Sequence, residues 1–250
     1  MADPVPFPTG RPIIFFSPHQ DDETLFMGRV VAHHALVGRE VHVILITDGA
    51  TSSARHAING DTLSPWWGGY HYPEREGYAL LSEATFSAAR TAEWRSACGQ
   101  LGVQPENLHT VGLSESGLTV AAVEAVIEEY ATLYPTAGLY TMSWDDANGN
   151  HSACGNALRN LATADPTSYN DCRWLIKPEN RANIPWAGTY TVPAQYVTQA
   201  NRMVRAAALA YQAWNPAQGS YAVGWHSVGL TYFQPLVDGE PNYIHRLAAP

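Results

Sequence analysis

The chain begins with short apolar runs that alternate with an amphipathic stretch. Residues 13–17 (IIFFS) form an apolar run typical of a buried parallel strand, and residues 40–47 (EVHVILIT) form a second run rich in β-branched side chains. The stretch between them, residues 22–37, predicts a helix that ends at Gly38. Strand, helix and strand in this order constitute a βαβ unit, whose crossover is expected to be right-handed.

The alternation resumes beyond residue 82 and predicts the overall architecture. We expect further helices over residues 82–101, 119–133 and 194–214, a helix containing residues 155–162, and strands over residues 108–113 and 138–144. Residues 170–192 indicate additional strands, for which a hairpin is one arrangement, and the tail is rich in loops. The predicted fold class is α/β: a doubly wound, mostly parallel Rossmann-like sheet with helices on both faces and a few extra C-terminal strands.

Residues 50–82 differ from the rest because they show little periodicity. This segment contains Gly68-Gly69 and several aromatic side chains, among them Trp66 and Tyr70. A long loop without regular structure is usually functional or mobile in a compact domain. We therefore predict a loop that covers the substrate, with Trp66 and Tyr70 as contacts.

Composition narrows the classes of partner. The hydrophobic fraction of 46% supports a sizeable core, and a length of 250 residues fits a single domain over residues 1–250. The net charge of −9, without a run of Lys or Arg, disfavours nucleic acid and anionic lipid as partners. No apolar run approaches the length of a membrane span, and residues 1–10 lack a signal-peptide pattern, so we expect a cytoplasmic, bacterial-type protein. The oligomeric state stays open.

Several potentially reactive side chains have structural interpretations. Three cysteines without a paired motif are expected to be buried or half-buried thiols: Cys98, Cys154 and Cys172. Three histidines without carboxylate partners in register are interpreted as surface or packing residues: His33, His34 and His42.

Two polar clusters follow strand ends and carry the candidate chemistry. Residues 17–23 (SPHQDDE) follow the first strand, and residues 145–151 (DDANGNH) follow the strand that ends at Trp144. Doubly wound sheets bind ligands beyond the carboxyl ends of their strands, so both clusters are expected to face one crevice.

The spacing within these clusters is typical of a catalytic zinc site. His19 leaves the strand end and Asp22 begins the next helix, so both can face one point, and His151 completes a His₂Asp set with an open coordination position. Asp21 lies between the first two and is free to act as a base towards a metal-bound water. The alternative is that Asp21 or Asp22 only caps the helix and that His151 is a surface residue.

Residues 19–25 (HQDDETL), followed by Gly28, resemble the His-Pro-Asp-Asp-Glu signature of the PIG-L/LmbE-like zinc-dependent N-acetylglucosaminyl deacetylases. Weaker similarities follow along the chain: Thr47-Asp48-Gly49, Arg90-x-x-Glu93, Leu101-Gly102-Val103 and His151-x-x-x-Gly155. Residues 1–165 resemble the family core, and residues 166–250 are interpreted as a C-terminal extension of the same domain.

The resemblance implies a function and roles for individual residues. It implies Zn²⁺ bound by His19, Asp22 and His151, with Asp21 as general base. The reaction would remove an N-acyl group, expected to be acetyl, from a small amino-sugar or glycoconjugate substrate. We expect four further residues to contact that substrate: Asp48, Arg90, Trp66 and Tyr70.

Two positions depart from the family pattern. Gln20 replaces a proline, which an extended backbone tolerates. Asn148 stands where the family has a second catalytic histidine, and its amide can donate a hydrogen bond to an oxyanion but cannot transfer a proton. Either Asp21 performs both proton transfers or another residue acts, for which His226 is the candidate.

Two other functions stay open at this point. A non-catalytic carbohydrate-binding protein on the same fold is suggested by Asn148 and the aromatic loop, although a binder needs no base. A zinc amidase that acts on a non-sugar amide would keep the same site and change only the substrate.

Overall fold

A seven-stranded mixed sheet forms the centre of the computed structural model, which describes residues 10–247. The strands, in chain order, are β1 (Ile13–Ser17), β2 (Val41–Thr47), β3 (Leu108–Leu113), β4 (Gly138–Met142), β5 (Cys172–Ile176), β6 (Gly188–Thr189), β7 (Trp214–Asn215), β8 (Ser220–Tyr221) and β9 (Tyr243–His245). The sheet order is β3-β2-β1-β4-β5-β9-β6; the first five of these are parallel, and β9 is antiparallel to both of its neighbours. The predicted α/β class and its mostly parallel sheet are confirmed.

Helices cover both faces of this sheet. They are α1 (Asp22–Leu25), α2 (Gly28–Leu36), α3 (Ala54–Ile58), α4 (Pro73–Glu76), α5 (Glu83–Gln100), α6 (Val120–Leu133), α7 (Gly149–Ala164), α8 (Ala194–Ala210), α9 (Val223–Val228) and α10 (Gln234–Asp238). Successive side chains of β1 point to opposite faces. Ile13 and Phe15 pack in the apolar cluster with α2, α5 and α8, whereas Ile14 and Phe16 pack with α6 and α7.

The helix predicted over residues 22–37 is instead two helices. The helix is interrupted at Phe26 and Met27, between α1 and α2. Met27 is fully buried in the core, whereas Phe26 lies on the wall of a cavity beyond the strand ends. Both side chains belong to the same buried apolar cluster, so the apolar periodicity continues through the break and does not reveal it.

Residues 50–82 are more ordered than the predicted loop. The segment contains α3 and α4, and Tyr78 donates a hydrogen bond to the carbonyl of Ile58 (2.7 Å). The Asn59 amide pairs with both backbone groups of Leu81, at 3.0 and 2.8 Å. Side-chain hydrogen bonds to the backbone thus replace the periodic apolar pattern that sequence reasoning relies on.

The C-terminal part of the chain departs most from expectation. The hairpin proposed for residues 170–192 is wrong, because β9 lies between β5 and β6 in the sheet. The helix predicted to reach Trp214 ends at Ala210. The loop-rich tail contains the β7–β8 pair, α9, a π-helical turn at Gly229–Phe233, α10 and β9. A strand from a distant part of the chain cannot be placed by local pattern.

Elements beyond residue 165 complete the sheet and pack on its earlier helices. β5 pairs with β4, and α8 contributes Val204 and Ala207 to the same apolar cluster as α2. These contacts support the single-domain interpretation, which stays a prediction. Residues 1–9, most of the segment without a signal-peptide pattern, lie outside the described residues. Within residues 10–247, no helix has the length and apolar character needed to cross a bilayer.

The buried histidines refine the earlier interpretation. His33 and His34 are buried, and His33 Nδ1 lies 2.6 Å from the Tyr190 hydroxyl, so packing rather than surface exposure describes them. His42 does have a carboxylate partner, Glu40, at 3.0 Å. The three cysteines are buried free thiols, as predicted.

Glu93 ties α5 to the start of α9. Its carboxylate is 4% exposed and accepts backbone N–H bonds from Val223 (2.9 Å) and Gly224 (3.3 Å). These N–H groups belong to the first turn of a helix and have no partner within it. One buried side chain therefore fixes the approach of the C-terminal segment to the domain core.

We predict that Glu93→Ala lowers the free energy of unfolding by about 1–3 kcal/mol, because it leaves these buried N–H groups without an acceptor. Urea denaturation followed by fluorescence measures the change. The matched control is Glu83→Ala on the same helix, where the carboxylate is exposed and its pair with Arg55 (3.2 Å) should contribute less than about 1 kcal/mol. Equal effects of the two substitutions would contradict this role of Glu93.

Candidate functional site

Two side-chain hydrogen bonds hold the turn that follows β1, and one of them comes from β2. The Ser17 hydroxyl donates to the carbonyl of His19 (2.9 Å), and the Thr47 hydroxyl donates to the carbonyl of Pro18 (2.8 Å). Thr47 is the last residue of β2, so one strand holds the turn that leaves the other. The first polar cluster is thereby fixed at the edge of the sheet.

Asp21 occupies a strained backbone conformation. Its φ is +126°, in the region that residues other than glycine rarely adopt, at a cost of about 1–3 kcal/mol. The N–H of Asp21 donates to the carboxylate of Glu23 (3.1 Å). The carbonyl of Asp21 accepts the N–H of Leu25 (2.8 Å) at the start of α1. Although Asp21 precedes α1, its side chain makes no capping hydrogen bond. The carboxylate instead faces the cavity, contrary to the capping alternative.

Three donor atoms from distant parts of the chain form a triangle. His19 Nδ1, Asp22 Oδ2 and His151 Nε2 are each 3.1 Å from the other two, and all three residues are buried. Tetrahedral zinc ligands at about 2.0–2.1 Å from the ion are about 3.3 Å apart. The residues that the sequence analysis assigned to a metal therefore have the spacing of a metal-ligand set.

The charges of this cluster also fit a cation. His151 Nδ1 lies 2.9 Å from Asp146 Oδ2 and donates its proton there, which leaves Nε2 with a lone pair directed at Asp22 Oδ2. Two lone pairs at this separation require a proton or a metal ion between them. Without a metal, burial opposes protonation of His151, but the Asp22 charge and the bond to Asp146 raise its pKa to about 9. Burial alone would raise the pKa of Asp22, yet the neighbouring histidines hold it well below its usual range.

A second set of side chains holds the ligands from behind. Asp146, the partner of His151, accepts a hydrogen bond from Lys177 Nζ (3.2 Å). The far nitrogen of His19, Nε2, lies 3.0 Å from the side-chain amide of Asn150 and 3.8 Å from Glu115 Oε1. Such outer contacts orient metal-binding imidazoles.

Sequence reasoning missed Glu115 and Asn150, and each left a signal. Glu115 follows the end of β3, a third strand end at the same edge of the sheet, so the rule that located the first two clusters also applies to it. Asn150 lies inside the second polar cluster, next to His151. The missing information was which of these side chains turns inward.

Arg90 connects the loops around Asp21. It is 5% exposed, and its guanidinium donates to the carbonyls of Gly49 (2.9 Å) and Gln20 (3.1 Å). One of its nitrogens lies 3.7 Å from Asp21 Oδ2. Burial and the Asp22 charge raise the pKa of Asp21, and the Arg90 charge opposes that rise.

Gly49 is required where these groups meet. Its φ is +65°, and a Cβ there would lie 2.0 Å from Gln20 Oε1 and 2.8 Å from an Arg90 nitrogen. The adjacent Asp48 uses its carbonyl to accept from Gln20 Nε2 (3.1 Å) and shapes this turn. Asp48 is not among the residues that line the cavity. The Thr47-Asp48-Gly49 motif is therefore explained by the shape of this turn, and the predicted substrate contact of Asp48 is not supported.

A cavity of about 360 Å³ opens onto the donor triangle. The predicted site residues on its wall are His19, Asp21, Asp22, Arg90, Asn148 and His151. Its other polar wall residues are Thr51, Ser52, Ser53, Glu115, Asn150, Lys177, Ser227 and Tyr232. The structure thus brings the proposed ligands and base together with a group of hydroxyl, amide and charged side chains.

Asn148 is the N-cap of α7 as well as a wall of the cavity. Its Oδ1 accepts backbone N–H bonds from Asn150 (2.9 Å) and His151 (3.4 Å). The amide nitrogen is left as a donor for a ligand. The residue therefore fixes the helix that carries His151 and can also contact a substrate.

His226, Trp66 and Tyr70 lie outside this cavity. His226 is buried and bonded to the Ser64 hydroxyl (2.7 Å), and its ring meets Trp66 edge-on at 4.9 Å between centroids. Burial, followed by the charge of His71, lowers the pKa of His226 to about 3, so it is neutral. Tyr70 lines a separate cavity of about 710 Å³. Local sequence placed all three in loops but could not show which cavity each loop faces.

Gly155 sets the approach of α7 to β4. A Cβ at this position would lie 2.2 Å from the backbone nitrogen of Trp144 and 2.5 Å from the carbonyl carbon of Ser143. Gly155 follows His151 by one helical turn on the same face. The glycine of the His151-x-x-x-Gly155 motif is therefore what lets His151 reach the triangle.

Comparisons with known proteins bear on the family and the fold of the chain. The family model described as PIG-L, GlcNAc-PI de-N-acetylase, matches residues 14–162. Among curated proteins, none matches the sequence. The chain is similar in structure to a deacetylase triple mutant involved in the teicoplanin biosynthetic pathway, with a TM-score of 0.61 and 16% identity over 94% of this chain and 96% of that one.

Two further solved structures are similar to the chain. N,N'-diacetylchitobiose deacetylase from Pyrococcus horikoshii has a TM-score of 0.54 and 15% identity, over 81% of this chain and 71% of that one. The 4-carboxy-2-hydroxymuconate hydratase from Pseudomonas putida KT2440 has a TM-score of 0.54 and 13% identity, over 96% and 97% of the two chains. At these identities the likeness establishes the fold alone, and the reaction must be argued from the site.

We predict that Gly155→Ala displaces α7 and weakens zinc binding at least tenfold, because the added methyl group meets backbone that cannot rotate away. The free energy of unfolding should fall by about 1–3 kcal/mol, as for other overpacked sites. A competition titration with a chromophoric chelator measures the affinity.

Gly149→Ala is the matched control on the same helix, since a Cβ there meets nothing within 4 Å. It should leave zinc affinity unchanged and alter stability by less than about 1 kcal/mol. Wild-type zinc affinity in Gly155→Ala would show that this contact does not position His151.

Proposed function

The chain belongs to the PIG-L family, and from that premise we propose that it is a zinc-dependent hydrolase that removes an N-acyl group, acetyl in the first instance, from an amino-sugar-containing substrate. One observation carries the proposal. Three metal-ligand atoms of buried residues stand 3.1 Å apart at a cavity. The carboxylate of Asp21, which makes no helix-capping hydrogen bond, lines the same cavity. A metal-ligand set beside a carboxylate that is not itself a ligand suits hydrolysis of an amide by an activated water.

The ligands in this proposal are His19, Asp22 and His151. A bound zinc ion lowers the pKa of a coordinated water towards neutrality and polarises an acyl carbonyl. Three protein ligands are the number found in catalytic zinc sites, which keep a position open. The closed four-ligand sets of structural sites differ in this respect.

Asp21 is proposed as the group that moves protons. Its carboxylate accepts a proton from the attacking water as the bond from oxygen to the acyl carbon forms. It then delivers that proton to the amide nitrogen as the carbon–nitrogen bond breaks, which yields a carboxylic acid and an amine. Asn148 cannot transfer a proton, and His226 lies outside the cavity, so Asp21 is assigned both transfers.

The positions of Arg90 and Asn148 support stabilising roles. Arg90 is buried and lies 3.7 Å from Asp21, so its charge opposes the rise in the pKa of Asp21 that burial and the Asp22 charge cause. Asn148 has a free amide donor on the cavity wall, which can bond to the oxygen of the tetrahedral carbon.

The cavity wall supports a sugar-like substrate. The hydroxyl-bearing residues Thr51, Ser52, Ser53 and Ser227 line the cavity, together with Glu115. A volume of about 360 Å³ falls in the range of small-molecule sites. Hydroxyl and carboxylate walls match the many hydroxyl groups of a sugar better than an apolar amide, which favours an amino sugar over the non-sugar amidase alternative.

The strain at Asp21 favours an enzyme over a carbohydrate-binding protein. Glycine at this position would relieve a positive φ of +126°, yet an aspartate occupies it. Strained residues are usually kept where their side chains are required.

We predict that Asp21→Asn lowers turnover about 10²- to 10⁴-fold and retains the metal, because Asp21 is outside the ligand triangle. Acetate release from N-acetylglucosamine derivatives and elemental analysis measure the two properties. The matched control is Asp238→Asn, an exposed carboxylate that does not line the cavity, which should change neither. Full activity in Asp21→Asn would remove this residue from the proposed role.

We also predict that removal of metal by a chelator abolishes acetate release and that about one equivalent of Zn²⁺ per chain restores it. His151→Ala should lose both the metal and the activity, because it opens one corner of the triangle. Retained activity in the metal-free protein would contradict the metal-dependent hydrolase. Sugar binding by the zinc-loaded protein without acetate release would instead support the carbohydrate-binding alternative.

A further inference from the structure

A second cavity, which we call the apolar pocket, adjoins the candidate site. It has a volume of about 410 Å³. Its apolar wall is formed mainly by Ile176, Pro178, Pro235, Leu236 and Pro241, with Thr231 at its exposed margin. This composition differs from the hydroxyl-rich and charged wall around the donor triangle. The apolar pocket is therefore suited to a different chemical group.

Three residues belong to the walls of both cavities: Leu25, Phe26 and Tyr232. The rings of Phe26 and Tyr232 meet edge-on, with centroids 5.2 Å apart. Phe26 also meets His151 edge-on at 6.4 Å, so the shared wall touches a proposed zinc ligand. A ligand group in the apolar pocket would lie one aromatic side chain away from the reacting centre.

The polar groups next to the shared wall are hydrogen-bonded to protein partners, each on its own side of the wall. Lys177 Nζ lies 5.9 Å from both ring centroids and binds Asp146, on the side of the donor triangle. The Tyr232 hydroxyl donates to Glu179, which lies on the wall of the apolar pocket. The shared wall thus separates a polar cavity from an apolar one.

The carboxylate of Glu240 and the amide of Asn242, both on the wall of the apolar pocket, have protein partners. Glu240 accepts from the Tyr243 hydroxyl (2.7 Å). The Asn242 amide donates to the carbonyl of Leu25 (2.9 Å) and accepts the N–H of Arg29 (2.7 Å). Two carboxylates on the wall disfavour an anion, and the engaged amide offers little to a polar ligand. Displacement of water by an uncharged apolar group is the favourable way to fill such a space.

We propose that the apolar pocket binds an uncharged apolar part of the same substrate, an alkyl chain or ring joined to the amino sugar through its acyl group or through its aglycone. The inference rests on the proposed function, because it takes the adjoining cavity as the site of the reacting amide. It adds a substrate class: amphiphilic amino sugars rather than free ones.

Two substrate series distinguish the sources of the apolar group. In the aglycone series, methyl, butyl and hexyl N-acetylglucosaminides share one acyl group. In the acyl series, acetyl, butanoyl and hexanoyl amides share a methyl aglycone. We expect kcat/KM to rise at least tenfold from the shortest to the longest member of one series. The upper limit is a factor of about four for each added methylene, which is the gain from complete burial. Two flat series would overturn the proposal.

A blocking variant tests whether the pocket causes that rise. Thr231→Trp places a large ring at the exposed margin of the apolar pocket and should bring the ratio of hexyl or hexanoyl to short-chain activity close to one. Leu230→Trp is the matched control, since Leu230 is 56% exposed and is not on the wall of either cavity. It should keep the wild-type ratio. An unchanged ratio in Thr231→Trp would overturn the proposal, and Pro241→Phe provides a second, independent block.

A binding measurement separates this inference from the proposed function. Calorimetry with methyl, butyl and hexyl glucosaminides, which carry no amide, reports affinity without hydrolysis. If no substrate releases acid but affinity rises with chain length in the wild type and not in Thr231→Trp, the proposed function fails and the apolar pocket stands. If short-chain amides are hydrolysed but affinity and kcat/KM ignore chain length in both series, the apolar pocket fails and the proposed function stands.

Discussion

The main constraint on this structure is the close approach of three electron-rich atoms, which repel one another and which the fold must hold together. His19 Nδ1, Asp22 Oδ2 and His151 Nε2 stand at mutual distances of 3.1 Å, and all three residues are buried. Such an arrangement is unfavourable unless a positive charge lies among them. Much of the surrounding structure holds the three atoms in place against that repulsion: the ties between strand ends, the close approach of α7 to β4, and the carboxylate behind His151.

The second constraint is the backbone of Asp21, and its support extends to the far end of the chain. Glu23 accepts the N–H of Asp21 and also binds the hydroxyl of Tyr211 (2.8 Å), directly after α8. Burial raises the pKa of Glu23 to about 7, although these hydrogen bonds oppose the rise. The C-terminal part of the chain therefore contributes to the site even though the family match ends at residue 162.

Asn148 caps the helix that carries His151, so an asparagine there serves the fold directly. Proton transfer then falls to Asp21 in our proposal, and the polar cavity keeps an amide donor. Beyond the shared wall of Phe26 and Tyr232, the apolar pocket extends the site towards groups that the reaction itself does not need.

The sequence by itself determined the α/β class, the strands β1 to β4 and the residues of the donor triangle. These follow from short-range pattern, because apolar periodicity marks a strand and the end of a parallel strand marks a site. The tertiary structure alone decided that Glu115 joins the site, that His226 packs elsewhere, and that β9 enters the sheet between β5 and β6. Each of these depends on contacts between segments far apart in sequence, where the packing of whole elements, and not the local order of residues, selects the neighbours.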